Sequence, residues 1–356
     1  MRALEIVADG DPGGGTAHVL QILRGFSAVH SLGLITQANS YLSKEAHSLG
    51  IKCFGVDFFR SRADARVPFE LRKIVRKFEP QLVHVHGGRA GFFCALAAIN
   101  TPIVYTVHGY HFPQKRPLLM RWLALNAERV ASWSADRVLF VSNYDARVAQ
   151  AHRLLPNLKQ SVVVNNGISF AQIPRAKPLA RKRIGFVGRL EYQKDPLLFL
   201  DVMERLPDYS ATIVGGGALE DEVRKEIKHR NLSSVRMLGA LPQSESFQEL
   251  SKLHTVIMTS RWEGLPLLPL EAMWSGVPVV ATNVGGLSEI IENEKSGLLI
   301  NRRSADDLAL AVMRLTDDLA LRESIVDNAR RRVQTLFSEA RMLSERDKPY
   351  QELAAL

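Results

Sequence analysis

Short runs of aliphatic and β-branched residues alternate with longer helical patterns along nearly the whole chain, and this alternation is what most limits how it can fold. "ALEIVA" (3–8), "GLITQA" (33–38), "IKCFGVD" (51–57), "QLVHVHG" (81–87), "PIVYTVHG" (102–109), "RVLFVS" (137–142) and "SVVVNNGI" (161–168) read as strands. Helical patterns are expected from Thr16 to about His30, over "SKEAHSL", and near 68–78, 89–99 and 117–134. Strands separated by helices specify a parallel, doubly wound sheet. "ISFAQIPRAKPLARKR" (168–183) interrupts the pattern with prolines and basic residues and reads as a linker. The alternation then restarts with "RIGFVGRL" (183–190), "SATIVGGG" (210–217), "VRMLGA" (235–240), "TVIMTS" (255–260), "VPVVAT" (277–282) and "SGLLI" (296–300), ending in a helical tail from about Ala305 to Ala355. The expected fold class is α/β, two doubly wound Rossmann-like domains facing a cleft, with ligands at the carboxyl ends of the strands.

The chain's 356 residues, 46% hydrophobic and 23% charged, suffice for two cores of this kind. Cys53 and Cys94 lie far apart and are read as core residues, with neither a disulfide nor a metal pair expected. The first apolar run is interrupted by Glu5 and is too short for a signal peptide. No window approaches the about 18 apolar residues of a membrane span. A cytoplasmic protein is expected, with peripheral attachment at the inner face of the plasma membrane as a further hypothesis. The net charge of +9 is unevenly spread: residues 1–172 carry 20 Lys and Arg against 11 Asp and Glu, and residues 173–356 carry 26 against 26. The first half therefore suits an anionic partner, and the alternative is drift of surface composition.

Several motifs carry chemistry. "GDPGGGTAHVL" (10–20) is a Gly-rich turn into a helix, where backbone N–H groups can approach a phosphate. It is not G-x-G-x-x-G, since His18 stands where the third Gly should be. "VGRLEYQKD" (187–195) puts Arg189 and Lys194 beyond a strand end, where two cations suit a diphosphate; either alone reads as a solvated surface charge. "ATIVGGGALEDEV" (211–223) repeats the strand–Gly–helix device, and its three glycines suggest backbone approach to a ligand. His84, His86 and His108 fall at strand ends. A metal site is disfavoured because no carboxylate or Cys accompanies them at ligand spacing. His108 best fits a group facing the cleft, and one of His84 and His86, which share a face, reads as a satisfied interior histidine. In "RWEGLPLLPLEAMWSGVPVV" (261–280), Pro266 or Pro269 suits a first helical turn and Gly276 its end. Glu263 then lies on a loop and Glu271 in the first or second turn. Ionised carboxylates only accept hydrogen bonds, so both are expected to receive ligand hydroxyls; a helix-start acid favoured by the dipole would explain only one of them.

In order and spacing, "GGG" (13–15), "HVHG" (84–87), "TVHG" (106–109), "VSN" (141–143), "NNGI" (165–168), "VGRLEYQKD", "GGG" (215–217) and "EGLPLLPLEA" (263–272) resemble glycosyltransferase family 4, retaining enzymes of the GT-B fold with an E-x7-E motif. The resemblance covers nearly the whole chain. It implies that Glu271 binds the nucleotide ribose and that Glu263 touches donor-sugar hydroxyls. Backbone N–H groups around Leu265, Leu267 and Leu268 would meet sugar or phosphate, and Gly216 would belong to the donor site. Arg189 and Lys194 would stabilise the departing diphosphate, Gly14 and Gly15 would cap it, and His108 would orient the sugar. No metal and no cofactor is expected, because the two cations do the neutralising. Pro269 and Trp274 depart from common family forms. The implied domains are 1–170, the acceptor side, joined by a C-terminal helix at 338–356, and 171–337, the donor side.

The expected activity is retaining transfer of a hexose or N-acetylhexosamine, most commonly UDP-linked in the family, to a hydroxyl of a glycan or lipid-linked acceptor in polysaccharide or glycolipid biosynthesis. The rivals are a nucleotide-sugar epimerase of the same fold, an NAD-dependent dehydrogenase and a nucleic-acid binder. The dehydrogenase lacks the third fingerprint Gly, and no nucleic-acid motif appears. An anionic membrane surface is a further candidate partner. Arg60 to Lys77 carries seven Lys and Arg against two acids. From Lys115, basic residues mix with Leu118, Leu119, Trp122 and Leu123. These apolar residues are preferentially read as the core-facing side of an amphipathic helix, and otherwise as membrane-facing.

Overall fold

A computed structural model describes residues 1–61, 64–110, 117–157, 160–177 and 182–354. Two compact units form: Met1–Asn166 with Arg341–Leu356, and Gly167–Ala340. Their sheets have seven and six strands, and every strand pair is parallel.

In the first unit the strands are β1 (Arg2–Val7), β2 (Ser31–Thr36), β3 (Lys52–Gly55), β4 (Leu82–His86), β5 (Ile103–Val107), β6 (Arg137–Phe140) and β7 (Ser161–Val163), in spatial order 3-2-1-4-5-6-7. The order reverses between β1 and β4, the type of position where such sheets leave a crevice. Both faces are covered, so the strands are nearly continuously buried. Leu4, Ile6, Val83, Val85 and Tyr105 pack in one core. Ala3, Val7, Leu82 and Val104 face the other, under α1 (Gly14–Phe26), α2 (Tyr41–Ser48) and α14 (Glu339–Ala354). By alternation Glu5, His84, His86 and Thr106 belong to this second face, as a polar stripe in an apolar layer.

In the second unit β8 (Arg183–Val187), β9 (Ser210–Val214), β10 (Val235–Gly239), β11 (Thr255–Met258), β12 (Val279–Thr282) and β13 (Leu298–Ile300) run 10-9-8-11-12-13. The reversal here lies between β8 and β11. Helix α10 (Leu267–Ser275) begins after Pro266, places Pro269 in its first turn where no N–H is needed, and ends on Gly276 at φ 95°.

Three expectations change. The segment read as a linker is pinned to the second unit as far as Lys177. Trp274 stacks on Phe170 at 4.1 Å and donates to its carbonyl, Arg175 lies 4.0 Å over the indole, and Ser275 Oγ donates to Pro174 O. Trp274, unexplained by sequence, is therefore this segment's anchor; residues 178–181 lie outside the described residues. Secondly, α5 (Leu118–Trp133) leaves Leu118, Leu119, Trp122 and Leu123 exposed, and packs Ala124 and Leu125 partly against the core. Leu118 is 83% exposed, Leu119 63%, Trp122 61% and Trp133 58%. The reading of Leu118, Leu119, Trp122 and Leu123 as the core-facing side is wrong, because that side is made by Ala124, Leu125, Ala131 and Ser132 instead. Lys115, Arg116, Arg62 and Ala63, included in the basic stretches, lie outside the described residues. Thirdly, three helices were not expected from the sequence: α6 (Asn143–Ala151), α9 (Gln243–Ser251) and the single turn α11 (Leu287–Ile290).

Candidate functional site

The second unit builds its site where the strand order reverses. The loop after β8 and the loop after β11 are stitched together. Arg261 N–H donates to Gln193 O (2.8 Å), Gln193 Nε2 to Trp262 O (3.0 Å), and Thr259 Oγ to the carbonyls of Lys194 and Asp195 (2.9 and 2.8 Å). Asp195, left-handed at φ 52° and buried, pairs with Arg261 and Arg303 and fixes the turn before α7 (Pro196–Glu204).

The two glutamates of the 261–280 stretch differ. Glu263 is 6% exposed and already has partners: Lys194 Nζ and Ser260 Oγ each donate to Oε1 at 2.6 Å. Glu263 thus also positions Lys194. Glu271 lies in the second turn of α10, partly buried, with no hydrogen bond or ion pair among the described residues. Burial pushes its carboxyl up to about 7. An unpaired carboxylate in such a place is costly unless donors arrive. Arg189 is exposed and meets Glu191 at 3.1 Å. Leu265 and Leu267 are buried and Leu268 partly so, and they lead into the first turn of α10, which carries no acid of its own. The first N–H groups of a helix have no partner within it, so a helix start is a place where an anion can be held.

The glycine triplets are not equivalent. A Cβ at Gly215 would lie 1.9 Å from Gly188 O, and one at Gly217 would lie 2.6 Å from Leu190 O. Their φ values, 139° and 151°, are also unfavourable to other residues. Two of these three glycines therefore serve close packing against the 188–190 loop, which corrects the reading of all three as ligand-facing. Gly216 alone has no such close backbone neighbour. At Gly13, Gly14 and Gly15 a Cβ would meet nothing within 4 Å. The protein itself does not require glycine there, and the start of α1 stands open.

In the first unit, β1 and β4 bring Glu5 against the histidines. The register sets Glu5 opposite His84, and the absence of a nearby carboxylate, inferred from sequence spacing, is overturned. His86 Nε2 lies 2.7 Å from Glu5 Oε2, and Tyr350 Oη donates to Glu5 Oε1 at 2.8 Å. His84 meets Tyr350 through Nδ1 and Thr106 Oγ1 through Nε2 (2.7 Å); Arg346 donates to the same Thr106 oxygen (3.0 Å). His86 Nδ1 lies 3.1 Å from His108 Nε2, and His18 packs edge-on to His108. Burial alone would raise the Glu5 pKa, but His84 and His86 more than offset it and hold the carboxyl well below the usual range. Burial, then neighbouring positive groups, keep His18 and His108 neutral, and His84 falls to about 3. Burial lowers Arg346 only to about 10, so it stays charged. Nitrogens of His18, His86 and His108 lie within 4.8 Å of one another, and so, as a separate set, do ligand atoms of Glu5, His84 and His86. The fixed charge of Arg346 in the same cluster opposes a divalent ion there. Glu5, Arg346 and Tyr350 went unassigned by sequence; the signal for Glu5 was an ionisable residue inside an apolar strand.

Comparison with known proteins gives two family matches: residues 12–172 match Glycosyltransferase Family 4, and residues 170–332 match Glycosyl transferases group 1. A UDP-Gal:α-D-GlcNAc-diphosphoundecaprenol α-1,3-galactosyltransferase of Escherichia coli is 28% identical over 284 residues, covering 72% of each chain. The E. coli O-antigen biosynthesis glycosyltransferase WbnH is 27% identical over 317 residues, covering 88% of this chain and 89% of its own. Anabaena HepE, solved with UDP and glucose, superposes with a TM-score of 0.84 at 19% identity, covering 98% of this chain and 99% of HepE.

Two outcomes follow from this geometry. Gly217→Ala should cost about 2–4 kcal/mol in urea unfolding, whereas Gly14→Ala should be neutral or stabilising by up to about 1 kcal/mol; equal effects would contradict the distinction between the triplets. Glu271 binds its proton more tightly folded than unfolded, so its contribution to stability falls as pH rises from about 4.5 through about 7. Glu271→Gln should therefore gain roughly 1–3 kcal/mol over the parent at pH 8.5 and nothing at pH 4. A gain independent of pH would show that burial does not perturb this carboxyl.

Proposed function

The chain is a glycosyltransferase of the GT-B fold, and from that premise we propose that it moves a hexose or N-acetylhexosamine, with retention of anomeric configuration, from a nucleotide diphosphate sugar to a hydroxyl acceptor. The observation that carries this reading is the pair of loops at the β8/β11 reversal, where Lys194 is held by Glu263 while Glu271 stands without a partner. A ribose diol would supply the donors that Glu271 lacks. Backbone N–H groups at the start of α10, around Leu265, Leu267 and Leu268, would meet phosphate or sugar oxygens, and Gly216 is proposed as a further residue of the donor site. Lys194 and Arg189 would stabilise the negative charge that grows on the departing diphosphate, the main lever in such a transfer. Glu263 keeps one oxygen on Lys194 and Ser260 and would offer the other to a sugar hydroxyl. Gly14, Gly15 and His108, in the first unit, are proposed as ligands of the diphosphate and the sugar. The reaction is proposed to need no metal, since the two cations do the neutralising. UDP is the favoured carrier, by similarity to the galactosyltransferase that uses UDP-Gal. Nothing in the matched relatives favours the epimerase reading.

The acceptor is proposed to be a glycan, most consistently a lipid-linked one, as in the name of the same relative. The first unit's surface supports this. Leu118, Leu119, Trp122 and Leu123 are exposed on α5 beside exposed Arg121, and Phe69 projects from α3 (Arg66–Phe78) near exposed Lys73, Arg76 and Lys77. Apolar and basic groups side by side suit an anionic bilayer surface, each charge adding about 1 kcal/mol. No helix among the described residues is long and apolar enough to cross a membrane, so any attachment by these groups would be peripheral.

Arg189→Ala and Lys194→Ala should each lower turnover with the best nucleotide sugar by about 10²–10³-fold. Lys194→Ala should also lose stability, because it leaves the buried Glu263 carboxylate with Ser260 but without its cation. Glu271→Ala should weaken the bare nucleotide as well as the donor in calorimetry. Near-normal turnover in both cation variants would remove them from the mechanism. In vesicle flotation, the protein should bind anionic vesicles at low salt, not neutral ones, and Leu119→Ser/Trp122→Ser should reduce binding at least fivefold. Absence of binding to anionic vesicles at low salt would remove the membrane from this account and leave sugar transfer untouched.

A further inference from the structure

The buried hydrogen bonds of the first unit have a direction. Tyr350 has one hydroxyl proton, and Glu5 Oε1 is its acceptor at 2.8 Å. Glu5 is ionised and can only accept, so the bond at 2.7 Å to His86 must be donated by His86 Nε2–H. A neutral imidazole has one N–H, so His86 Nδ1 carries a lone pair and accepts. Its partner, 3.1 Å away, is His108 Nε2, which therefore bears the proton. His108 Nδ1 is left as an acceptor. The other groups facing this chain agree with that direction. Arg346 donates to Thr106 Oγ1, which then donates to His84 Nε2, so His84 keeps its proton on Nδ1, toward Tyr350 and, at 3.1 Å, Glu5. His18 contributes ring contacts to His86 and His108, and its nitrogens bond to no described residue.

We propose that Glu5 and His86 are positioning residues that fix the tautomer of His108, so that its Nδ1 accepts a hydrogen bond from a hydroxyl of the bound sugar. This rests on the reading of His108 as a sugar ligand. Burial of Glu5 and His86, 0% and 5% exposed, is what makes the direction binding at the head of the relay: an exposed pair would exchange tautomers through water. The identity of a residue in β1 thereby decides whether a group two strands away, past the end of β5, accepts or donates. It would favour a donor with a hydroxyl in reach of Nδ1 over one with only an ether or carbonyl oxygen there.

Glu5→Gln tests this without changing shape. The Tyr350 hydroxyl needs an acceptor, so the new amide oxygen should sit at the Oε1 position and its NH2 at the Oε2 position, with the His84 Nδ1 proton donated to the Tyr350 oxygen alone. That NH2 donates to His86 Nε2, which moves the His86 proton to Nδ1 and the His108 proton from Nε2 to Nδ1. In the intact protein labelled with 15N-histidine, with His108 assigned by its loss in His108→Asn, the parent should show His108 protonated on Nε2. The Glu5→Gln variant should show it protonated on Nδ1, with transfer reduced at least tenfold and bare UDP affinity changed less than twofold. His108 protonated on Nδ1 in the parent overturns the relay, and this measurement needs neither the variant to fold nor any sugar transfer. An unchanged tautomer in folded Glu5→Gln also overturns it. A switched tautomer with unchanged transfer overturns the contact to the sugar. If the parent transfers no sugar at all, the functional reading fails while the spectrum still decides the relay.

Discussion

A parallel sheet whose strand order reverses leaves a gap between the loops that follow the two strands at the reversal. Here the constraint operates twice. Between β8 and β11 the gap is closed on the protein side by hydrogen bonds from Arg261 N–H to Gln193 O and from the Gln193 side chain to Trp262 O, and by the Lys194–Glu263 pair. Between β1 and β4 it is backed by Glu5 and two histidines. Each reversal thus places one buried carboxylate against a cationic or hydrogen-bonding partner from the neighbouring strand or its loop.

The two sites handle the cost of a buried carboxylate differently. Glu5 is fully enclosed and receives protons from Tyr350 and His86, with Arg346 supplying the balancing charge nearby. Glu263 is satisfied by Lys194 and Ser260. Glu271 has no such partner, and its raised pKa records the unmet requirement. In a folded protein most buried polar groups are satisfied, so an unsatisfied carboxylate at a strand-order reversal is where a ligand has something to supply.

Much of the fold was legible because burial on both faces makes parallel strands conspicuous. "TVIMTS" and "VPVVAT" are apolar runs bounded by polar or turn residues, and Pro266 and Gly276 bracket α10 by their backbone chemistry. The missed helices are more polar. Yet α6 carries a readable start, Ser142 accepting from Asp145 N–H, the S-x-x-D pattern of a helix N-terminus. Cross-strand neighbours were not legible at all. Glu5 and His84 are 79 positions apart and Tyr350 is 345 from Glu5, so spacing could not reveal their contact. Glycine triplets look alike in sequence, but Gly215 and Gly217 are demanded by the backbone at 188–190 whereas Gly13 to Gly15 are not. The outward face of α5 was misread because a stripe of Leu and Trp on a helix usually marks a core-facing side.

The central claim is that the loops at the β8/β11 reversal and the start of α10 hold the nucleotide diphosphate. Hydrogen–deuterium exchange with saturating UDP, GDP or ADP tests it directly. The account predicts that at least one nucleoside diphosphate slows exchange at residues 188–194 and 263–272. Slowing confined to other segments, or none with any of the three at concentrations where binding is independently measured, would contradict it.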